Sequence, residues 1–268
     1  MTDRVKNSPL FSKYSAVNIL TLIVIFIMII GYEYLEWPFY IVFIPVVLYL
    51  ILIVLGSVFI GFNFYFHSVC KAVTTERKIV LTFDDGPHPE VTLKLLETLE
   101  KYNLPAAFFC IGKNVNLHQP VLRKIVESGH LVANHSYSHH RWFDLFSSKK
   151  MVGEILAANK EIEQAVGKKP LLFRPPYGVT NPMLAKALQQ TGMIPVGWGL
   201  RSFDTMHDKE KVLRKLKKKT KPGDIVLFHD TREKIIGVVA EYAGWLKENN
   251  FEVVRLDKMF NIEVYEEI

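Results

Sequence analysis

The sequence predicts a mainly parallel β/α barrel preceded by a two-helix hairpin that crosses a membrane. Three observations carry that prediction. Two long stretches near the start hold no charged residue. Beyond residue 75, short apolar runs alternate with segments of helical period. The side chains best suited to chemistry fall at the ends of those runs. With 268 residues the chain has room for one catalytic-size domain and an additional segment.

The first charge-free stretch runs from Tyr14 to Tyr32 and the second from Trp37 to Phe66. A bilayer-spanning helix needs roughly 20 mainly apolar residues, so helices are expected over about residues 15–32 and 38–63. Pro45 is tolerable inside a membrane helix. Trp37, Tyr40, Phe62 and Tyr65 lie near the ends, where aromatic rings favour the headgroup level. A soluble core hairpin would have to bury apolar surface all round both helices. A removable signal peptide would need a small-residue cleavage site, and none follows the first run. Residues 1–70 are therefore read as a tail and an uncleaved anchor, and residues 75–268 as the folded domain. Arg4, Lys6 and Lys13 precede the first helix, and Lys71, Arg77 and Lys78 follow the second. The connecting loop holds Glu33 and Glu36 and no basic residue. The positive-inside rule then places both chain ends, and the domain, on the cytoplasmic face.

Within the domain, strands are expected at residues 78–84 (KIVLTFD), 106–112 (AAFFCIG), 131–134 (LVAN), 171–174 (LLFR), 194–199 (IPVGWG), 224–229 (DIVLFH) and 251–256 (FEVVRL). Helical spacing fills the intervals. Val91, Leu95, Leu96 and Leu99 share one face of EVTLKLLETLEKYN. QPVLRKIVESGH reaches Gly129, a C-cap residue type. Serines can cap SSKKMVGEILAANKEIEQAVG, which ends at Gly167. NPMLAKALQQTG offers Asn181 as cap, Pro182 as first helical residue and Gly192 as stop. REKIIGVVAEYAGWLKENN is the last long helix. The basic stretch 208–224 reads as a helix with a solvated face, Val212 and Leu213 or Leu216 turning inward. Its charge would also suit anionic lipid headgroups or a phosphate-bearing substrate. It supplies much of the net charge of +6, and with no recognition motif beside it nucleic acid is not an expected partner.

Seven alternations imply a mainly parallel sheet. The strands are continuous apolar runs, as when both faces are covered. Closure, or near closure, into a barrel follows from where the polar residues fall. The pair Asp84 and Asp85, and His135, Arg174, Trp198 and His229, sit at the C-terminal ends of five different strands, and in a barrel those ends form one rim. Cys70 and Cys110 are too few for a disulfide framework, and Cys110 reads as a small core residue.

The stretch VLTFDDGPHPE puts two adjacent carboxylates where a buried strand ends. In NHSYSHH, His135 and His139 are four residues apart, a spacing that on a helical turn puts both imidazoles on one face, within reach of one cation. His140 is the spare. One aspartate and two histidines leave positions open for water and substrate. Zn²⁺ suits this donor set, with Co²⁺, Ni²⁺ and Fe²⁺ as other candidates. The remaining aspartate can stay free as a general base. Adjacent carboxylates repel, and a metal together with Arg174 of FRPPYG would relieve the repulsion. A plain salt bridge at the barrel rim would look the same in sequence. His229 of IVLFHD can protonate a leaving amine, and Asp204 of WGLRSFDT can hold that imidazole.

From about residue 75 to 266 the chain resembles the polysaccharide deacetylase family, carbohydrate esterase family 4, with its NodB homology domain. TFDDGP (82–87), HSYSH (135–139), RPPYG (174–178) and LFH (227–229) match family motifs in order. The resemblance implies a distorted (β/α)7-type barrel and metal-dependent hydrolysis of N-acetyl groups on sugars, with O-acetyl and N-formyl groups as variants. It implies Asp84 as base, Asp85, His135 and His139 as metal ligands, and Arg174 as the residue that orients the base. His229 would be the acid and Asp204 its partner. The Tyr177 amide would join an oxyanion hole and Leu227 would line the acetyl pocket. The fourth motif departs from Asp-x-x-Asp-Trp: Asp204 is kept, but Arg201 and Thr205 replace the outer Asp and the Trp. The substrate wall, with Trp198 and Arg201 as candidate contacts, therefore differs. Arg201 either meets a negative group on the substrate or is a rim residue. The expected partners are membrane lipids and an acetylated aminosugar glycan, be it polysaccharide, peptidoglycan or a lipid-linked sugar. The competing expectation is an anchored sugar-binding protein of the same fold without turnover.

Overall fold

The structure, a computed structural model, describes residues 12–266. Arg4 and Lys6 of the charge argument lie outside the described residues. Helix α1 (Lys13–Leu35) is followed by a 3-10 turn (Phe39–Val42) and helix α2 (Phe43–Val58). The two helical segments, Lys13–Leu35 and Phe39–Val58, hold 23 and 20 residues at mean hydropathies of 2.4 and 2.9, long and apolar enough to cross a bilayer. They fold back on each other. At the base, Lys13 Nζ donates to Phe62 O at 2.6 Å and the Tyr14 amide donates to Phe64 O at 3.1 Å. At the tip, Glu36 turns the chain in the left-handed region (φ 57°) and the Trp37 amide donates to Gly31 O.

Eight strands follow, all parallel: β1 (Lys78–Asp84), β2 (Ala106–Cys110), β3 (Leu131–Asn134), β4 (Leu172–Phe173), β5 (Ile194–Pro195), β6 (Leu200–Arg201), β7 (Ile225–His229) and β8 (Glu252–Val253). The order is β5-β4-β3-β2-β1-β7-β6, with β8 beside the start of β1. This order forces the sheet to curl. Flat, the outermost strands would stand about 29 Å apart at the usual strand spacing. Yet β5 and β6 are joined only by residues 196–199, which reach at most about 18 Å. The result is a curled half-barrel, in line with the expected fold class.

The sequence pattern is corrected in two places. The expected strand 194–199 shrinks to β5 (Ile194–Pro195), because residues 196–199, with Gly197 and Gly199, form a crossing that leads to β6 on the opposite edge of the sheet. The expected strand 251–256 shrinks to Glu252–Val253, since Leu256 begins a helix.

Helices α3 (Val91–Lys101), α4 (Gly112–Leu117), α5 (Gln119–Glu127), α6 (Ser148–Val166), α7 (Pro182–Thr191), α8 (Lys209–Lys219), α9 (Lys234–Glu248) and α10 (Leu256–Phe260) complete the domain. Their ends follow local chemistry. Ser147 and Asn181 accept from the Lys150 and Leu184 amides as N-caps, and Gly167 and Gly192 close α6 and α7 in the left-handed region. On the outer face of the sheet Phe83 stacks between Phe108 and Phe228, with ring centroids 5.1 and 5.5 Å away. The inner face is filled by smaller side chains such as Val80, Ala107, Ala133 and Ile225. That leaves room at the strand ends for polar groups.

The chain between hairpin and β1 is woven into the barrel. Val69 donates its amide to Pro195 O and accepts from the Gly197 amide, both at 2.9 Å, so it closes the seam between β5 and β6. Lys71 pairs with buried Asp224 at 2.8 Å.

Candidate active site

Register sets the site. In the β1–β7 ladder Asp84 pairs with His229 and Thr82 with Leu227, so these four side chains share the inner face of the sheet. Asp85 follows at φ 75°, a costly conformation for a non-glycine residue, and it shares that conformation with Phe203 (φ 60°) and three more residues around the site. The others are Ser136 (φ 64°), His139 (φ 45°) and Tyr177 (φ 60°). Gly86 completes the turn because a Cβ there would collide with the Asp230 carboxylate.

Arg174 lies fully buried at the end of β4; one of its contacts is to Asp84 and the others hold the guanidinium in place. Its Nη1 donates to Asp84 Oδ1 (2.6 Å) and Thr82 Oγ1 (2.9 Å), Nη2 donates to Gly197 O (2.8 Å) and Nε to Val196 O (3.2 Å). The guanidinium also stacks 4.0 Å from the Phe109 ring centroid. A buried charge with this many partners is an anchor for one specific carboxylate, not the exposed rim salt bridge that the sequence left open.

The histidine pair comes together differently from expectation. Residues 135–140 form a loop, not a helical turn. Ser136 and His139 take left-handed conformations and the Ser136 hydroxyl accepts from the His139 amide, which folds the loop back on itself. The imidazole centroids then lie 4.8 Å apart. His135 Nδ1 sits 2.8 Å from Arg174 O; a carbonyl only accepts, so Nδ1 carries a proton and Nε2 is the nitrogen turned toward Asp85. Burial first, and then the neighbouring His135, push His139 down to about 4, so its ring is neutral at neutral pH.

Asp85 Oδ1 lies 3.4 Å from both His135 Nε2 and His139 Nε2, and the three ligand atoms fall within 4.8 Å of one another. Asp85 Oδ1 is buried and accepts no hydrogen bond. Lone pairs converging on a buried oxygen without a donor are what a cation site requires, so the donor set fits a divalent ion. Asp84 Oδ2 stands 3.8 Å from His135 Nε2, beside the cluster and outside it.

Opposite, His229 Nδ1 meets Asp204 Oδ1 at 2.9 Å, and the His229 amide donates to Asp204 Oδ2. Ser202 Oγ donates to Asp204 Oδ1 at 2.7 Å. Burial works against both charges, yet the pair prevails: the hydrogen bond and charge of Asp204 raise His229, and those of His229 lower Asp204.

Tyr177 is half exposed, with its ring 4.8 Å from that of His139. Leu227 is buried in the floor, and the Trp198 ring neighbours two guanidinium groups, that of Arg174 at 5.8 Å and that of Arg201 at 5.7 Å. All eleven residues singled out in the sequence thus gather at one end of the half-barrel. The sequence pattern does not single out Thr82 or Asp230. Asp230 is fully buried beside Gly86 and takes a hydrogen bond from Thr92; burial first, then Asp85 and Asp84, push it up to about 7. Its signal was its place directly after His229.

A parallel half-barrel that gathers three carboxylates, three histidines and a buried arginine at its strand ends presents the polar cluster of an active site at the rim where barrel enzymes carry theirs. The comparisons narrow this further. Residues 71–196 match the polysaccharide deacetylase family model. A peptidoglycan-N-acetylglucosamine deacetylase of Bacillus cereus is 32% identical over 190 residues, covering 69% of this chain and 88% of that protein. Peptidoglycan-N-acetylglucosamine deacetylase PgdA of Listeria monocytogenes is 30% identical over 194 residues; the match spans 72% of this chain and 41% of the longer protein. The structure of peptidoglycan deacetylase PdaC from Bacillus subtilis aligns with a TM-score of 0.64 at 28% identity, over 71% of this chain and 91% of that one. The chain belongs to the polysaccharide deacetylase family, carbohydrate esterase family 4. The family match ends before Asp204 and His229, so the case for those two rests on their geometry and on the sequence motifs.

Proposed function

We propose that this chain is a membrane-anchored, metal-dependent deacetylase that hydrolyses N-acetyl groups on aminosugar glycans. One observation carries the reading: a donor-free Asp85 oxygen between two imidazoles, flanked by an Arg174-bound carboxylate on one side and an Asp204-bound imidazole on the other. Relatives named for deacetylating peptidoglycan N-acetylglucosamine and chitooligosaccharides support the substrate class.

Asp85, His135 and His139 would hold the ion, which when bound supplies Lewis-acid activation of water and of the acetyl carbonyl; the nitrogen-rich set suits Zn²⁺. Asp84 takes the proton of the attacking water, and Arg174 holds it in the orientation needed to do so. The Tyr177 amide donates to the oxyanion that the carbonyl oxygen becomes. His229, charged through Asp204, gives its Nε2 proton to the sugar nitrogen as the C–N bond breaks. Acetate and a free amine leave. Leu227 and Trp198 shape the acetyl and sugar contacts.

Helices α1 and α2 form the anchor, and residues 75–268 the catalytic unit. Lys13 at the base of the hairpin and Glu36 at its tip support a cytoplasmic domain. A reporter fused to the C-terminus and active on one face only tests the orientation.

Acetate release from acetylated chitooligosaccharide by the full chain tests the activity. It should vanish with a chelator and return with Zn²⁺. Sugar binding without acetate release in the Zn²⁺-loaded protein would leave an anchored binding protein instead.

A further inference from the structure

The hairpin base is bonded directly to the walls of the site. The Thr180 amide donates to Ser57 O at 2.9 Å and its hydroxyl to Gly56 O at 3.0 Å, both in the last turn of α2. Thr180 lies three residues past Tyr177, at most about 11 Å of chain, and the Tyr177 ring touches His139. The opposite wall is pinned too. Ile60, just past α2, lies against Gly197, and Trp198 next to it packs on Gly178. Whatever plane the hairpin base occupies, the mouth of the site sits beside it.

The rim around that mouth exposes large apolar side chains beside charged ones. Trp142 is 52% exposed and Leu145 73%, and a cleft of about 380 Å³ is lined by Arg141, Trp142, Asp144, Tyr177 and Val179. Phe59 and Phe62, stacked 5.1 Å apart at the hairpin base, are equally bare. Aromatic and aliphatic side chains next to two apolar helices match a headgroup boundary.

The inner wall carries an unmatched positive charge. Arg201 pairs in register with Leu227 and so shares the inner face of the sheet. Its Nε is buried without a partner. Lys215 of α8 approaches from behind, its Nζ 3.5 Å from the Phe203 ring, whose other neighbour is Arg201 at 5.0 Å. Burial and then the Arg201 charge hold Lys215 below its usual value. Neither cation has a carboxylate partner among the described residues. Two cations brought together in this way lack an anion. In a 2-acetamido sugar joined to a lipid through an anomeric phosphate, the phosphate sits on the carbon next to the one that bears the acetamide. Such a substrate carries its anion one carbon away from the acetamide, opposite in sign to the Arg201 charge on the inner face.

We infer that the substrate is an N-acetylated aminosugar joined through phosphate to a membrane lipid, taken from the bilayer in which the hairpin sits, with Arg201 receiving the phosphate. The inference rests on the anchored-deacetylase reading and narrows it.

The test uses the full chain in Zn²⁺-loaded proteoliposomes and three probes: N-acetylglucosamine linked by pyrophosphate to a prenyl lipid, the soluble nucleotide sugar with the same phosphate, and chitotetraose. The lipid-linked probe should exceed both soluble ones in kcat/KM by about 100-fold, the gain expected when enzyme and substrate share a surface. Arg201→Gln should shrink its lead over chitotetraose about ten-fold, the scale of one charge-assisted hydrogen bond. Equal or better turnover of a soluble probe, or an unchanged ratio in Arg201→Gln, overturns the inference. Hydrogen exchange at residues 177–181 in nanodiscs reads binding apart from turnover. Protection by the lipid-linked probe without acetate from any probe would sink the deacetylase reading alone. Acetate from chitotetraose without that protection would sink the lipid substrate alone.

Discussion

Asp84 and His229 stand opposite each other in register, one on β1 and one on β7, and the protein surrounds them differently. The Asp84 side chain is 4% exposed and its partner Arg174 0%, and that guanidinium spends its donors on Asp84, Thr82 and two carbonyls. The His229 side chain is 12% exposed and leans on one carboxylate, Asp204, which a single hydroxyl steadies. The proposed base lies in the core, where removing one partner of its ion pair strands a buried charge. The proposed acid faces the cleft, where its proton affinity can be tuned with the fold intact. Substitutions on the two sides should therefore separate stability from rate.

The largest effect is expected at Arg174. Arg174→Met strands a buried carboxylate, which should cost about 3–5 kcal/mol and abolish acetate release. Adding Asp84→Leu should return much of the lost stability and none of the activity, since a buried ion pair replaced by apolar groups is often neutral. Thermal unfolding of the full chain in detergent measures both. If the double variant is no more stable than the single one, the anchor role of the pair fails.

Asp84→Asn comes next. Metal binding should survive, because Asp84 lies outside the Asp85, His135 and His139 cluster. Turnover should fall about 10³-fold, within the range for losing a general base. The melting temperature should fall as well, because Arg174 keeps its charge and loses its counterion. On the other side of the site, Asp204→Asn should lower kcat about 10²-fold with a smaller change in melting temperature.

The pH dependence of that second variant has a definite sign. Asp204 raises His229 against burial, so the acid form persists above the ordinary histidine range. Without the charge, burial dominates and the alkaline limb of kcat should move to lower pH. Stability follows the same logic. The raised His229 contributes below the unfolded histidine value and loses its contribution as pH climbs through its folded value. The lowered Asp204 contributes above the unfolded aspartate value and loses its contribution as pH falls through its folded one. The wild-type advantage over Asp204→Asn in melting temperature should therefore peak between those limits. A flat difference across pH would break the pairing.

How much of this was legible in the sequence differs between the two halves in the same way. The apolar runs 78–84, 171–174 and 224–229 end in Asp84, Arg174 and His229, so these three could be placed on one rim from pattern alone. Four-residue spacing put His135 and His139 together, although the loop that does so is held by left-handed residues rather than by helical period. Backbone conformations of that kind leave little trace outside glycine. The depth of Arg174 was also invisible, because an arginine reads as a surface residue until Val196 and Gly197 offer it carbonyls across the sheet. Nor could pattern place Val69 in the seam between β5 and β6. An apolar residue after a long apolar run looks like linker, and its role depends on which strands the curl brings together.

The smallest expected effect probes the outermost support of the acid. The Ser202 hydroxyl donates to the same Asp204 oxygen that meets His229 Nδ1. In Ser202→Ala that oxygen loses one donor, its carboxylate becomes a stronger base, and the His229 proton is held more tightly. The alkaline limb should therefore move slightly upward, opposite to Asp204→Asn, while kcat at neutral pH falls a few-fold because the carboxylate is less firmly held. Two neighbouring substitutions that shift one limb in opposite directions are difficult to explain by loosened packing, which would move both the same way. If both shift it downward, Ser202 only fills space, and the tuning of the acid lies in Asp204 alone.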